Sequence, residues 1–395
     1  MRILLISHTC QSRTEGLPKA HFLAQIPGVT LRVVVPQRWK HYGKWRPPEA
    51  ALSDNFEYQP SRVRWPWVGA AQFYLHHYPD LPRIMREFQP DIIDLWEEPW
   101  ALVSAQACRL RRRICPQAKI ISETEQNILK KLPAPFERIR SYTLSQADFA
   151  VARNSEAVEV LRAKGYRGPT AVVPNGVDAE LFRPMDRGAC RSAAGLSGFV
   201  VGYVGRLVEE KGLIDLVEAL PHCPSDINLL FVGSGALQAQ LLARSRELGV
   251  EKRVRILPAR PLAELPPLMN AIDVLALPSR TTARWKEQFG RVLIEANACG
   301  TPVIGTRSGA IPDVVGQAGL IVPERDPKAL AAAMIQLHAN PVTARNMGEF
   351  GRQQVDKQYT WARVAQRMYA IYQELAVESQ AIASPRVNIA GAAIP

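Results

Sequence analysis

Short unbroken apolar runs alternate along this chain with stretches whose apolar positions return every three or four residues. An unbroken run suits a strand covered on both faces, and the longer period suits a helix with one buried stripe. RILLIS (2–7), VTLRVVVP (29–36) and PDIIDLW (90–96) predict strands, with a weaker one near 56–60. AKIISETEQN (118–127) reads as a strand and the loop at its C-terminal end, and DFAVARN (148–154) as a further strand. Between them, residues 12–25 read as a loop then a helix, and 101–113 and 136–147 as helices. Residues 155–166 predict a helix with Ser155 at its N-cap and Gly165 at its stop. PTAVVPNGVD (169–178) closes this half.

Residues 179–197 predict a linker, after which the alternation restarts. FVVGYVGR, INLLFVG, RVRIL and DVLALP predict strands, and EEKGLIDLVEAL, ALQAQLLARSRELG and LAELPPLMNA predict the helices between them. ACGTPVIGT reads as a helix end, a turn and a buried strand, and RSGAIPD as a second turn into a helix at Gly309. A last helix is expected near 360–376 and an aperiodic tail after it. Strand–helix alternation predicts mostly parallel sheets, hence an α/β protein of two doubly wound, Rossmann-like domains. Their expected extents are 1–182 with the C-terminal helix 359–378, and 190–355, leaving 379–395 as a mobile tail. Ligands of such sheets bind beyond the C-terminal strand ends, so both sets of ends are expected to line one cleft.

Composition narrows the class. The chain has 395 residues, enough for two cores, and 47% are apolar, which excludes a disordered chain. No apolar run approaches the ~18 residues needed to span a bilayer. MRILLISHTC reads as a first strand rather than a leader peptide, which predicts a cytoplasmic protein. Six scattered cysteines without a C-x2-C predict buried thiols rather than disulfides or a zinc site. The net charge is +12, and residues 1–190 carry +8 of it, from 27 Lys+Arg and 19 Asp+Glu. No nucleic-acid motif accompanies this charge, so it points to an anionic membrane face or a phosphorylated ligand. The stretches 62–79 and 128–142 mix cations with aromatics, which suits either acceptor or membrane-surface contact or a helix with a solvated basic face. His76, His77 and Cys299 have no partners at catalytic spacing and receive no role.

The candidate chemistry centres on WKEQFGRVLIEANACG (285–300). Glu287 and Glu295 stand eight positions apart, the first read in a loop and the second about two turns into a helix. At ~1.5 Å rise per residue their carboxylates are on the order of 10 Å apart, too far to work on one bond. The helix N-terminus between them offers unpaired N–H groups and a favourable dipole to an anion. The pattern fits a ligand with a diphosphate between two sets of hydroxyls. In GYVGRLVEEKG (202–212), Arg206 leaves a strand end and Lys211 is read in the first helical turn, where both could neutralise that diphosphate. Solvated surface cations and surface glutamates are the ordinary alternative for such residues.

GRLVEEKG, the E-x7-E within EQFGRVLIEANACGTPVIGT, and VPNGVD with FRP after it occur in an order and spacing that resembles the family 4 retaining glycosyltransferases of GT-B fold. TEQN-x-L-K-K-x-P-x-P-F resembles the branch of that family that assembles exopolysaccharides and lipid-linked oligosaccharides. The resemblance implies two Rossmann-like domains across a cleft, with the C-terminal helix crossing back to the N-terminal domain. It implies a nucleoside-diphosphate sugar, UDP- or GDP-linked, as donor and a sugar or lipid-linked acceptor. Arg206 and Lys211 would stabilise the departing diphosphate, and Glu287 would bind the transferring sugar beside Gln288, Phe289, Gly290 and Arg291. Glu295 would hold the ribose, and Asn175 and Gly176 would shape the interdomain turn. The chain departs from the family where many members carry a Gly-Gly pair and a histidine; here stand Glu15–Gly16 and Glu123-Thr124-Glu125. Gly16 and Glu123, the latter a loop acid, are therefore the candidate N-domain sugar or acceptor contacts. No D-x-D occurs, so no metal or other cofactor is expected. A nucleotide-sugar 2-epimerase and a sugar-nucleotide-binding module without turnover are the alternative readings.

Overall fold

A computed structural model describes residues 1–41, 44–65 and 71–383. Residues 384–395 of the expected tail, and 66–70 of the basic aromatic stretch, lie outside the described residues. The chain forms two compact units. The first comprises Met1–Glu123, Leu132–Ala150 and the chain from Ala365; the second comprises Thr124–Lys131 and Val151–Val364.

The strands, in chain order, begin with β1 (Arg2–Ile6), β2 (Thr30–Pro36), β3 (Trp39–His41), β4 (Lys44–Arg46) and β5 (Glu57–Ser61). They continue with β6 (Ile92–Leu95), β7 (Lys119–Thr124), β8 (Phe149–Ala152) and β9 (Thr170–Val172). One sheet has the order β5-β2-β1-β6-β7-β8-β9, and its pairs from β5 to β7 are parallel. Ile3, Leu4, Leu5 and Ile6 of the central β1 are fully buried, which is why that run shows no polar alternation. The path turns back between β1 and β6, so the switch point of this sheet lies at the C-terminal ends of those two strands. The short antiparallel pair β3–β4 and the helix Leu81–Phe88 were not among the predicted elements.

The second unit restarts with β10 (Phe199–Val204), β11 (Ile227–Val232), β12 (Val254–Leu257), β13 (Val274–Leu277), β14 (Val303–Thr306) and β15 (Gly319–Val322). Its sheet runs β12-β11-β10-β13-β14-β15, parallel throughout, and turns back between β10 and β13. The two sheets are the doubly wound pattern that the alternation predicted.

Two expectations need correction, on the linker and on the C-terminal helix. The linker 179–197 contains a helix, Arg187–Ala194, because Asp186 accepts a hydrogen bond from the Ala189 N–H and Gly195 ends it in the left-handed region. Residues 151–182 carry β9 and part of β8 of the first sheet and are grouped with the second unit. There the Val177 N–H donates to the Tyr359 carbonyl at 2.7 Å, and a Cβ on Gly176 would lie 2.4 Å from Trp361 Cδ2. Finally, the C-terminal helix runs Trp361–Ala383, so 379–383 are helical rather than tail. From Ala365 that helix belongs to the first unit, where the Tyr372 hydroxyl donates to Asp94 Oδ2 at 2.7 Å. All six cysteines are buried free thiols. No helix among the described residues is long and apolar enough to cross a membrane.

Candidate active site

Two loops of the second unit meet at its switch point, beyond the ends of β10 and β13. Gly212 (φ +66°) ends the turn after β10, and a Cβ there would lie 2.0 Å from the Pro278 carbonyl after β13. Only glycine suits both that conformation and that approach. The contact brings Lys211 to the β13 loop. Its Nζ reaches Glu287 Oε2 at 2.5 Å, and Ser279 Oγ donates to the same oxygen at 2.9 Å. The Lys211 ammonium also lies 4.8 Å from the centroid of the Trp285 ring. Lys211 itself sits in a 3-10 turn, Glu209–Lys211, rather than in the first turn of the following α-helix, because Gly212 interrupts the path before Leu213–Ala219.

The backbone of Glu287 is fixed as firmly as its side chain. Its carbonyl accepts from Asn127 Nδ2 at 2.9 Å and from the Ala310 N–H at 3.1 Å. Gly309 (φ +55°) passes so close that a Cβ would lie 1.9 Å from that carbonyl oxygen. The Gln288 carbonyl accepts from Asn154 Nδ2 at 2.5 Å, and the Phe289 ring packs at 5.8 Å from Tyr359. Gly290 (φ +80°) is the N-cap of the helix Arg291–Ala298, so the loop bearing Glu287 feeds a helix N-terminus as expected. Outside this loop, Arg280 grips the buried Asp215 with two nitrogens. Glu324 accepts from both the N–H and the hydroxyl of Thr281, each at 2.6 Å. These bonds hold the start of the 280–290 loop without using the atoms of Lys211 or Glu287.

Glu295 is the fifth residue of its helix, a little over one turn in rather than two. Its carboxyl is buried, and burial pushes its pKa up against the pull of Arg291, whose Nε is 3.2 Å away. Arg206 is half-exposed and lies 3.6 Å from Glu210. Beside it, a cavity of about 270 Å³ is lined by Glu209, Glu210, Arg280, Thr282, Trp285 and Arg325. The structure thus joins Lys211 to Glu287 and Arg291 to Glu295, and sets Arg206 against Glu210. Ser279 was missed by sequence reasoning, because a lone loop serine carries no periodic or motif signal.

The first-unit candidates behave differently. Gly16 precedes the helix Leu17–Ala24, and a Cβ on it would lie 2.7 Å from Thr9 Oγ1, so it is a close-packing glycine. Glu123 is corrected: it belongs to β7, not to a loop, and it is 1% exposed. Its carboxylate pairs with the buried Lys19, which also donates to Asp94 Oδ2 at 2.9 Å. One of the two histidines assigned no role, His76, is buried 3.5 Å from the buried Glu97. His8 joins the same carboxylate through Nδ1 at 2.7 Å and its backbone N–H at 2.6 Å, and its ring stacks on Trp39 at 4.8 Å. Burial alone would push the Glu97 carboxyl up; His8 and His76 overcome it and hold the pKa down to about 2. This cluster stands at the ends of β1 and β6, the switch point of its own sheet, and its members lie too far apart in sequence for spacing to reveal it.

Residues 192–354 match the model of glycosyl transferases group 1, and residues 23–181 match that of glycosyltransferase family 4. The chain is 31% identical over 304 residues to a D-inositol 3-phosphate glycosyltransferase of Corynebacterium jeikeium, covering 71% of this chain and 68% of that one. It is 33% identical over 212 residues to a GDP-mannose-dependent monoacylated alpha-(1-6)-phosphatidylinositol monomannoside mannosyltransferase of Corynebacterium glutamicum. That match covers 51% of this chain and spans little more than half, 55%, of the relative. In fold, the chain resembles Anabaena HepE solved with UDP, with a TM-score of 0.71 and 19% identity, over 95% of this chain and 100% of that one.

Proposed function

The chain belongs to the group 1 glycosyltransferases of GT-B fold, and from that premise we propose that it moves a sugar from a UDP- or GDP-linked donor to an acceptor hydroxyl with retention of anomeric configuration. The observation that carries this reading is the Lys211–Glu287–Ser279 contact immediately before a glycine-capped helix N-terminus. A diphosphate at that terminus meets unpaired N–H groups and the positive end of the dipole. Lys211 and Arg206 neutralise the charge that develops on it as the sugar departs, which is where electrostatic stabilisation has its largest effect. Glu287, held by Ser279 and by Lys211 itself, accepts hydrogen bonds from the sugar hydroxyls. Glu295 accepts them from the ribose. Two cations and a helix end carry out the charge neutralisation that a divalent ion performs elsewhere, so the proposed reaction is metal-independent.

The acceptor we infer is a sugar or lipid-linked sugar of cell-surface polysaccharide or glycolipid synthesis, met at the cytoplasmic face of a membrane. The motif resemblance supports it, as do the inositol-phosphate and phosphatidylinositol names of the relatives. The test is a transfer assay with a panel of UDP- and GDP-sugars in the presence of EDTA, with the product anomer read by NMR. Donor-dependent transfer giving an α-linked product agrees with the reading. Conversion of donor without acceptor, an inverted product, or loss of all transfer on chelation overturns the corresponding part of it.

A further inference from the structure

A basic cavity of the first unit shares no residue with the proposed donor site. The helix Leu102–Ile114 lines an open cavity of about 770 Å³, with Tyr142 and His77 among its other walls. That volume suits a ligand of small-molecule size. Leu102, Ala105, Arg109, Arg112 and Arg113 recur at the three-to-four spacing of one helix face, and all five line it. From Leu102 to Arg113 the face extends about 16 Å, apolar at one end and cationic at the other.

Cations at a helix C-terminus are favoured by the dipole, which accounts for the sign of the charge but not for its bonding. The fourth arginine of the run, Arg111, turns away and donates to the carbonyls of Pro116 and Gln146 at 3.4 and 3.2 Å. Arg109, Arg112 and Arg113 are exposed, and among the described residues no carboxylate or carbonyl pairs with their guanidinium groups. Three like charges gathered round one concavity repel one another unless an anion joins them. A guanidinium fork matches phosphate oxygens two at a time.

We propose that this cavity binds a phosphate ester of an apolar or amphipathic carrier, its phosphoryl group among Arg109, Arg112 and Arg113 and its apolar part along Leu102 and Ala105. The site does not depend on the donor reading above, since it shares no residue with it. The ester could come from a lipid headgroup or from a soluble metabolite, and the two differ in how they reach the site.

The experiment uses the full chain saturated with UDP or GDP, so that the donor site is occupied. Titration calorimetry with octyl phosphate below its micelle concentration is compared with octyl glucoside. Octyl phosphate should bind and the glucoside should not. R109Q/R112Q/R113Q should weaken binding at least tenfold, and A105W, which fills the apolar end without changing charge, should weaken it as well. R246Q/K252Q/R345Q removes the same charge from exposed positions elsewhere and should leave binding unchanged. Flotation with vesicles of equal parts phosphatidylglycerol and phosphatidylcholine, set beside titration with glycerol 3-phosphate, identifies the source. Loss of vesicle binding in the first triple variant indicates a lipid, and loss of glycerol 3-phosphate binding a soluble ester. Absence of octyl phosphate binding, or equal weakening in the two triple variants, overturns the proposal.

Discussion

Lys211 Nζ lies 2.5 Å from Glu287 Oε2, joining two side chains 76 positions apart at the switch point of the second sheet. Glu287 is 8% exposed, so its carboxylate depends on Lys211 and Ser279 for the partners that water would otherwise supply. Lys211→Ala removes the positive charge from a proposed leaving-group site and one of the two hydrogen bonds that aim the acid. Losing one preorganised donor of this kind lowers turnover by ~10²–10³. Steady-state kinetics should show a fall of that size in kcat/KM for the donor, with near-normal circular dichroism. Near-normal transfer by the variant would remove Lys211 from the reaction.

Gly309 tests whether the backbone of Glu287 matters as much as its carboxylate. With φ at +55° and a Cβ position 1.9 Å from the Glu287 carbonyl, alanine there must push the loop away from Asn127 and Ala310. Strain of this kind costs about 1–3 kcal/mol. Gly309→Ala should lower Tm by on the order of 5 °C, and turnover should fall further than Tm alone explains, because Glu287 moves with its backbone. Gly249 also has positive φ (+67°) but open space around its Cβ position, so Gly249→Ala is the matched control and should leave turnover intact.

How much of this was legible in the chain follows from which signals are local. β1 and β10 announce themselves because a strand covered on both faces is an unbroken apolar run. Lys211 and Glu287 were found through motif order, since neither spacing nor composition links them. The helix Arg187–Ala194 escaped because RGACRSAA has no apolar stripe and is set by its caps, Asp186 and Gly195. Glu123 was read as a loop acid because SETEQ looks like a turn. Its place in β7 depends on Lys19, 104 residues earlier, which lies buried beneath it. The His8–Glu97–His76 cluster has the same character, as three segments meet only once the sheet has formed.

Glu295 offers a separation of binding from rate. It is buried at the fifth position of the helix that Gly290 caps, with Arg291 at 3.2 Å holding part of its charge. If it receives the ribose hydroxyls, Glu295→Ala loses charged hydrogen bonds made equally to bound donor and transition state. Each is worth about 1.5–3 kcal/mol. Uniform loss raises KM and spares kcat. The donor KM should therefore rise at least tenfold with kcat within a factor of about three. A fall in Tm with an unchanged KM would make Glu295 a structural acid only.

The buried cluster of Lys19, Asp94, Glu123 and Tyr372 makes stability depend on pH in a direction opposite to that of an ordinary paired acid. Burial, then the neighbouring Glu123 charge, push the Asp94 carboxyl up to about 7, against the pull of Lys19 and of the Tyr372 hydroxyl. The thiol and the phenol facing it stay neutral: burial raises the Cys10 thiol to about 12 and lifts the Tyr372 phenol well above its usual range. The folded chain therefore keeps a proton that the unfolded chain releases near its ordinary carboxylate pKa of 3.8. Between that value and about 7, the folded state holds more protons than the unfolded one, so this contribution is full at the acid end and fades as pH rises. Urea midpoints measured in steps from about pH 5 to 8 should fall more steeply in the natural chain than in Asp94→Asn, whose amide cannot release a proton. Lys19→Met strands two carboxylates in the core and should destabilise by about 3–5 kcal/mol. Adding Asp94→Asn and Glu123→Gln to it should recover much of that loss, since no buried charge then remains unpaired. Equal pH slopes for the natural chain and Asp94→Asn would show that the proton resides elsewhere.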